Sequence, residues 1–326
     1  YGLPSWLGGL LWPFFLVLTP VYWVIVSLRN KKYDLLVTPQ RGAARIVSIG
    51  NLGVGGTGKT PLCLWLLKRA LKTEMKVAIF LRGYGSKNGV SDEAELYKEV
   101  LGTEHVYVNP SRCESLRKAE KQGYDLILMD DAFQHRKVHR DLDLVLSDAT
   151  HFILDDSIMP LGTLREPISG LKRAQALVMT RCENQTVDQL QNKKKRLQQR
   201  FPHLYLVLAK TEVSQIVPLH NASPFQYQQK VFLFSGIGDP EKFRTSVKNQ
   251  NIEVVGEKVF RDHHFITDEE IQQLEKQAIS CGAEAFMTTA KDAVKIKSKA
   301  NLPMYVLHIE FSIDEEQHFF EFVTGL

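Results

Sequence analysis

The sequence predicts an α/β fold: a parallel sheet with flanking helices, then a second smaller α/β domain, all preceded by an N-terminal membrane-associated helix. Three observations predict it. Residues 1–28 contain no charged side chain. From Arg45 onward, short β-rich apolar runs alternate with helix-like runs, the pattern of strands joined by covering helices. One of those runs, V-S-I-G at 47–50, ends in a glycine-rich loop that presents a lysine and a threonine, N-L-G-V-G-G-T-G-K-T-P.

The uncharged stretch comes first. A helix needs about 20 mostly apolar residues to span a bilayer, and the run from Leu3 to Val26 is long enough. Pro13 and Pro20 each remove a helix hydrogen bond and favour a kink. Trp6, Trp12, Tyr22 and Trp23 suit the interfacial zone, and Arg29, Lys31 and Lys32 hold the next segment on the cytoplasmic side. No basic n-region or small-residue cleavage site marks a cleaved signal peptide. Membrane association over residues 1–38 is the expectation, with a buried core helix as the alternative. Spanning and lying in the surface both stay open.

Residues 39–212 are expected to form the nucleotide-binding domain. Its strands are Arg45–Ile49, Lys76–Leu81, Tyr124–Met129, Leu142–Leu146, Ala176–Met179 and Leu204–Leu208. Its helices include Lys59–Leu71 and the polar tract Glu183–Gln199. The stretch Thr211–Tyr227 reads as an irregular linker. Residues 213–326 form the second α/β unit, with strands Val231–Phe234, Glu284–Met287 and Met304–Ile309 and a helix over Pro240–Lys248.

Composition narrows the function. The chain has 326 residues, 44% hydrophobic and 24% charged, with a net charge of +4. That is globular, and the small charge excess argues against a nucleic-acid partner, whose basic residues would form a stripe. Cys63, Cys113, Cys182 and Cys281 are widely spaced, without the pairs a zinc site or disulfide framework needs, and free thiols fit a reducing cytosol.

Gly53-Val-Gly-Gly-Thr-Gly-Lys59-Thr60 matches G-x-x-x-x-G-K-[ST] between a strand and a helix, the context that motif requires. The sheet is therefore of the P-loop NTPase type. Gly53, Gly55, Gly56, Thr57 and Gly58 let successive N–H groups point into one anion-sized hollow, and the helix dipole aims at the same place. Lys59 can reach the β- and γ-phosphates of ATP, and Thr60 can place its hydroxyl on Mg2+. Tyr124-Asp-Leu-Ile-Leu-Met-Asp130-Asp131 has the form of a Walker B strand, whose aspartate holds that metal.

A phosphate loop alone does not separate kinases from GTPases or partitioning ATPases. A guanine reader needs N-K-x-D or T-K-x-D, and Thr289-Ala-Lys-Asp292 has the residues in the wrong order. A kinase also needs a group for the acceptor proton. Outside the cradle the candidates are Asp92-Glu93, His135, Arg165-Glu166 and Asp262-His263-His264.

Seven segments occur in order: S-I-G-N-L-G-V-G-G-T-G-K-T-P, L-R-G-Y-G, D-D-A-F-Q-H-R-K-V-H-R-D-L-D, M-P-L-G-T-L-R-E-P, F-S-G-I-G-D-P-E-K-F, R-D-H-H-F and T-T-A-K-D. With them, the chain from about Arg45 to Asp292 resembles the tetraacyldisaccharide 4′-kinase family, the lipid A 4′-kinases. The resemblance implies ATP-dependent phosphorylation of the 4′-hydroxyl of a lipid-linked disaccharide 1-phosphate, at the cytoplasmic face of a Gram-negative inner membrane whose lipid the N-terminal helix contacts. It implies Lys59 as the P-loop lysine, and Thr60, Asp131 and Glu166 as the magnesium site with Asp130 assisting. Arg165 is implied as the cation beside the transferring phosphate, and Asp92 with His263 as the proton-handling dyad; which of the two takes the proton stays open. The chain departs from the family pattern in Ser91-Asp-Glu-Ala94 for G-D-E-P, in Asp130-Asp-Ala132 for D-D-G, and in a shortened stretch between Ser86 and Ser91. Without the resemblance, a membrane-tethered regulatory or partitioning ATPase is the competing expectation.

Overall fold

The computed structural model describes residues 5–83, 92–220, 223–262, 264–296 and 300–326, and for residues 5–12 and 92 the backbone alone. The chain divides into two compact units. One comprises residues 1–82, 107–211 and 312–326, and the other residues 83–106 and 212–311.

In the first unit, β1 (Arg45–Gly50) runs parallel between β4 (Leu126–Asp130) and β5 (Leu142–Asp148), with Ile49 opposite both Asp130 and Leu144. β2 (Val77–Leu81) and β3 (Val106–Val108) lie beyond β4, and β6 (Ala176–Thr180) and the start of β7 (Tyr205–Leu219) lie beyond β5. The strands are Val/Ile/Leu-rich because both sheet faces are covered, and every residue of β4, β5 and β6 is buried. One face packs Ile46, Phe80, Ile127 and Met129 against Leu116 of α4 (Arg112–Ala119). The other packs Leu52, Phe133, Val145 and Met179 against Leu197 of α5 (Val187–Arg200). The β1–loop–α2 unit (α2, Lys59–Leu71) therefore opens at the carboxyl ends of the strands, between its two parallel neighbours, where α/β sheets bind ligands.

In the second unit, β11 (Met304–Ile313), β10 (Ala285–Thr289), β8 (Val231–Ser235) and β9 (Val254–Val259) form parallel neighbours in that order. Its helices are α3 (Asp92–Leu101), α6 (Pro240–Lys248), α7 (Asp268–Ser280) and the single turn α8 (Ala290–Ala293). Phe232, Phe234 and Phe286 pack with Ile271 and Leu274 of α7, and Leu233, Met287 and Leu307 pack with Phe243 and Val247 of α6.

The chain passes from the first unit to the second at 211/212, and two further segments cross that division. Residues 83–106, with α3, belong to the second. Residues 312–326 return to the first, because α9 (Glu316–Thr324) buries Phe319, Phe320 and Val323 there, with the Phe319 ring 6.0 Å from Trp65 of α2. The Arg45 guanidinium donates to the carbonyls of Val323 and Phe322 at 2.8 and 3.2 Å, satisfying the end of that helix. The expected linker Thr211–Tyr227 is also corrected. Its first nine residues continue β7, with Val213 and Ile216 half-buried against the second unit's core and polar residues between them. The shift from an apolar run to loose alternation hides a strand that leaves one environment for another.

The first helix, α1 (Ser5–Leu36), is continuous through both prolines. Its 24 residues from Pro13 to Leu36 are long and apolar enough to cross a membrane by length and composition. It is not a core helix: Phe14, Val17, Val21, Ile25 and Leu28 are between 51% and 69% exposed. The opposite stripe, Phe15, Thr19, Tyr22, Val26, Asn30 and Tyr33, recurs every three or four residues and is half-buried or buried.

Candidate active site

The loop after β1 is shaped by its glycines and held by its neighbours. Gly55 (φ 115°) and Gly58 (φ 90°) occupy backbone space that side chains resist, and Gly58 caps α2 without a side-chain bond. A Cβ at Gly55 or Gly56 would meet nothing within 4 Å, so neither position is crowded by a neighbour. The outside is fastened. Val54 N donates to Thr163 O at 2.9 Å, and Arg165 N donates to Leu52 O at 2.7 Å. The Thr180 hydroxyl at the end of β6 donates to Thr57 O at 3.0 Å. Arg181 donates to Gly56 O at 2.6 Å while pairing with Asp148 at the end of β5. The loop is thus a hollow held from outside, at α2's N-terminus, a position that favours an anion.

Charge converges on this hollow. Lys59 Nζ lies 3.4 Å from Asp131 Oδ1, and Arg165 Nη1 lies 3.3 Å from Asp131 Oδ2. Asp131 stands just past β4 with a left-handed backbone (φ 45°), which turns its carboxylate toward both cations. Burial would raise its pKa, but Lys59 and Arg165 outweigh that and hold it below the usual carboxylate value. Asp130 is buried as the last residue of β4, opposite Ile49 in register. Thr60 is the second residue of α2. The pairing of Arg165 N with Leu52 O sets the Arg165-Glu166 segment beside the loop. Lys59, Asp131 and Arg165 are therefore in one cluster, with Asp130, Thr60 and Glu166 adjoining it in the same unit.

Glu166, 2% exposed, accepts from three donors: Asn30 Nδ2 at 3.1 Å, Gln134 Nε2 at 3.0 Å and Arg173 Nη2 at 2.8 Å. Gln134 Nε2 also donates to Asn51 O at 2.8 Å, while Asn51 Oδ1 accepts from Lys59 at 3.4 Å. Buried Arg112 donates to Asp130 O at 2.9 Å, and burial lowers its pKa to about 10. Asn51, Gln134, Arg112, Asn30, Arg173 and Arg181 are not among the residues that the sequence singles out. A signal exists for the first two, a side-chain amide inside each of the two motifs that carry Lys59 and Asp131. None exists for the others, which meet the site through tertiary contact.

Oxygen donors of this kind suit magnesium, a hard cation that keeps several waters and is bound through one or two carboxylates plus phosphate oxygens. Thr60 and Asp131 fit that role directly. Glu166 fits by exchanging one of its three donors for the ion. Among the described residues, no three His, Cys, Asp or Glu side chains form a metal-ready cluster.

The proton-handling candidates lie in the second unit. Asp92 opens α3, but its side chain and the whole of His263 fall outside the described residues. Their sequence neighbours are joined: Lys291 Nζ lies 3.1 Å from Glu93 Oε1 and 3.6 Å from Asp262 Oδ1. His264 is occupied structurally, 3.0 Å from Glu270 and stacked on Phe260. Asp292 of the T-T-A-K-D segment is fully buried and accepts from Gly236 N, the Thr289 hydroxyl and Lys295. It ties the S-G-I-G turn in place and reads no base.

A glycine-rich loop opening a helix, with a lysine, an arginine and a Walker B aspartate converging beside it, is the arrangement of a P-loop protein of the nucleotide-handling class. The family model described as "Tetraacyldisaccharide-1-P 4'-kinase" matches residues 10–326. The chain belongs to that family, and its activity is that of a lipid A 4′-kinase rather than of a partitioning ATPase. It is 32% identical over 308 residues to the tetraacyldisaccharide 4′-kinase of Bdellovibrio bacteriovorus, covering 86% of this chain and 88% of that one. It is 33% identical over 317 residues to the enzyme of the same name from Desulfotalea psychrophila, covering 90% of each. The crystal structure of the "apo" form of LpxK from Aquifex aeolicus in complex with ATP aligns with a TM-score of 0.76 at 27% identity, covering 98% of this chain and 99% of that one.

Proposed function

We propose that the chain transfers the γ-phosphoryl group of ATP to the 4′-hydroxyl of a lipid-linked glucosamine disaccharide 1-phosphate, with magnesium, at the cytoplasmic face of a Gram-negative-type inner membrane. The observation that carries this division of labour is the convergence of Lys59, Asp131 and Arg165 beside the open loop. The backbone amides of Gly53–Thr60 cradle the β- and γ-phosphates. Lys59 and Arg165 exchange Asp131 for phosphate oxygens and offset the charge that spreads over the transferring group. Thr60, Asp131 and Glu166 hold the metal, with Asp130 assisting. Bound magnesium supplies neutralisation of the phosphate charge.

The sugar oxygen forms the new bond to phosphorus as the bond to the β–γ bridging oxygen breaks, and ADP leaves. The hydroxyl proton passes to the dyad of Asp92 and His263, in which a carboxylate raises the basicity of the imidazole and fixes its tautomer. The exposed stripe of α1 lies in lipid, which places the enzyme where its acceptor resides.

The test uses the purified full chain in detergent with the disaccharide 1-phosphate and γ-labelled ATP. Label is expected in extractable glycolipid. Asp92→Ala should abolish transfer while ATP still binds, and Lys59→Ala should lose roughly 100-fold or more in kcat, as for a lost electrostatic stabiliser. Label appearing only in inorganic phosphate would overturn the acceptor assignment. Native transfer by Asp92→Ala would overturn the dyad.

A further inference from the structure

The apolar helix and the phosphate loop are connected by an unbroken chain of polar contacts. The stripe of α1 that faces the protein carries Tyr22 and Asn30, whose polar groups reach the segment beside the phosphate loop. The Tyr22 hydroxyl donates to Arg165 O at 3.0 Å. Two turns on, Asn30 Nδ2 donates to Glu166 Oε2 at 3.1 Å. Glu166 Oε1 accepts from Gln134, which also holds Asn51 O, and the Asn51 side chain reaches both Lys59 and Gly55 O at 3.4 Å. The register is fixed from the protein side as well: Arg136 donates to Asn30 O at 3.0 Å and pairs with Asp34, and Arg29 donates to Gln134 O at 3.2 Å. Membrane contact alone would ask only for an apolar outer face. It would not require donors aimed at the backbone of Arg165 and the buried carboxylate beside it.

We propose that Tyr22 and Asn30 are positioning residues for phosphoryl transfer, through which the seating of α1 sets the placement of Arg165 and Glu166. The seating of α1 against the protein and the placement of the catalytic segment are thereby coupled. The inference rests on the reading of Arg165 as the cation at the transferring phosphate. Geometry of this kind acts on kcat, because a small misplacement of a charge-stabilising group is felt mainly in the transition state.

The experiment compares the full chain with Asn30→Ala, Asn30→Gln, Asn30→Asp and Tyr22→Phe. Four quantities are read: kcat, KM for ATP, amide exchange at Arg165 and Glu166, and flotation with phosphatidylethanolamine–phosphatidylglycerol vesicles. Asn30→Ala should lower kcat about 10- to 100-fold with KM for ATP and flotation unchanged, and should speed exchange of the Arg165 amide. Asn30→Gln keeps the donor and should recover part of the loss. Asn30→Asp sets a second carboxylate against Glu166 and should fall below Asn30→Ala. Tyr22→Phe, the mildest change, should give a smaller fall in kcat in a chain that melts as the wild type does. Native kcat and native exchange in all four would overturn the proposal. So would parallel loss of flotation and kcat, which would make these residues membrane anchors, or rescue by Asn30→Asp equal to that by Asn30→Gln. The exchange readout needs no acceptor. Failure of the acceptor assignment would show instead as absent glycolipid product in the wild type.

Discussion

His135 follows the Walker B turn and is held as a neutral imidazole. Burial first, then the cations of Arg112, Arg140, Lys137 and Arg82, lowers its pKa from 6.5 to about 4. The unfolded chain therefore takes up this proton near pH 6.5, whereas the native protein resists it until about pH 4. Stability from this group is fully present above pH 6.5, declines as pH falls through that window, and is flat below it. Urea denaturation across that range should show the decline, and His135→Gln should reduce its slope; an unchanged slope would place the sensitivity elsewhere. An inflection near neutrality in the rate profile is then expected from a group other than His135. The same residue marks what sequence can tell. Lys59 and Asp131 are legible because phosphate binding demands a fixed local spacing on one strand and one loop. Whether an imidazole beside them is a base or a buried neutral ring depends first on its burial and then on cations such as Arg112 and Arg140, neither of which a local pattern declares.

Among the elements, α9 is the sharpest case of a segment whose role its own sequence does not declare. Phe319 is fully buried, packed between Trp65 and the Tyr205 ring. Phe319→Ala should cost about 3–5 kcal/mol, the usual penalty for emptying an aromatic site, and a thermal melt should report it. A shift below about 1 kcal/mol would mean that the helix is not part of the first unit's core. Five strands of that unit, β1, β2, β4, β5 and β6, are readable to within about two residues at each end, since β4 to β6 are buried on both faces and appear as uninterrupted apolar runs, whereas the three-residue β3 (Val106–Val108) is too short to leave a pattern and is not predicted. The helix α2 is readable too, from the loop that starts it. By contrast, α7 begins with a capping box, Thr267 and Glu270, a signal present in the sequence but easily passed over. The continuation of β7 past Thr211 is hidden because its residues alternate only loosely.

For the molecule as a whole, α1 divides its surface between two environments. Tyr22, Val26 and Asn30 meet the protein, while Val17 and Val21 point away from it and are 69% and 51% exposed. If the outward stripe is the lipid contact, charge placed there should act on partition and leave the nucleotide hollow untouched. Val17→Lys with Val21→Lys should reduce flotation with phosphatidylethanolamine–phosphatidylglycerol vesicles by about 10-fold or more, since a buried lysine costs ~2.5–3.5 kcal/mol at the centre of a bilayer and less near its surface. Affinity for ATP should stay at the wild-type value, because neither side chain touches the Arg165–Glu166 segment. Phosphorylation of an acceptor presented in vesicles should fall further than that of the same acceptor dispersed in detergent. Undiminished flotation of the double variant would show that the exposed apolar stripe is not what holds this kinase to lipid, and would shift that role to Arg29, Lys31 and Lys32 at the end of the helix.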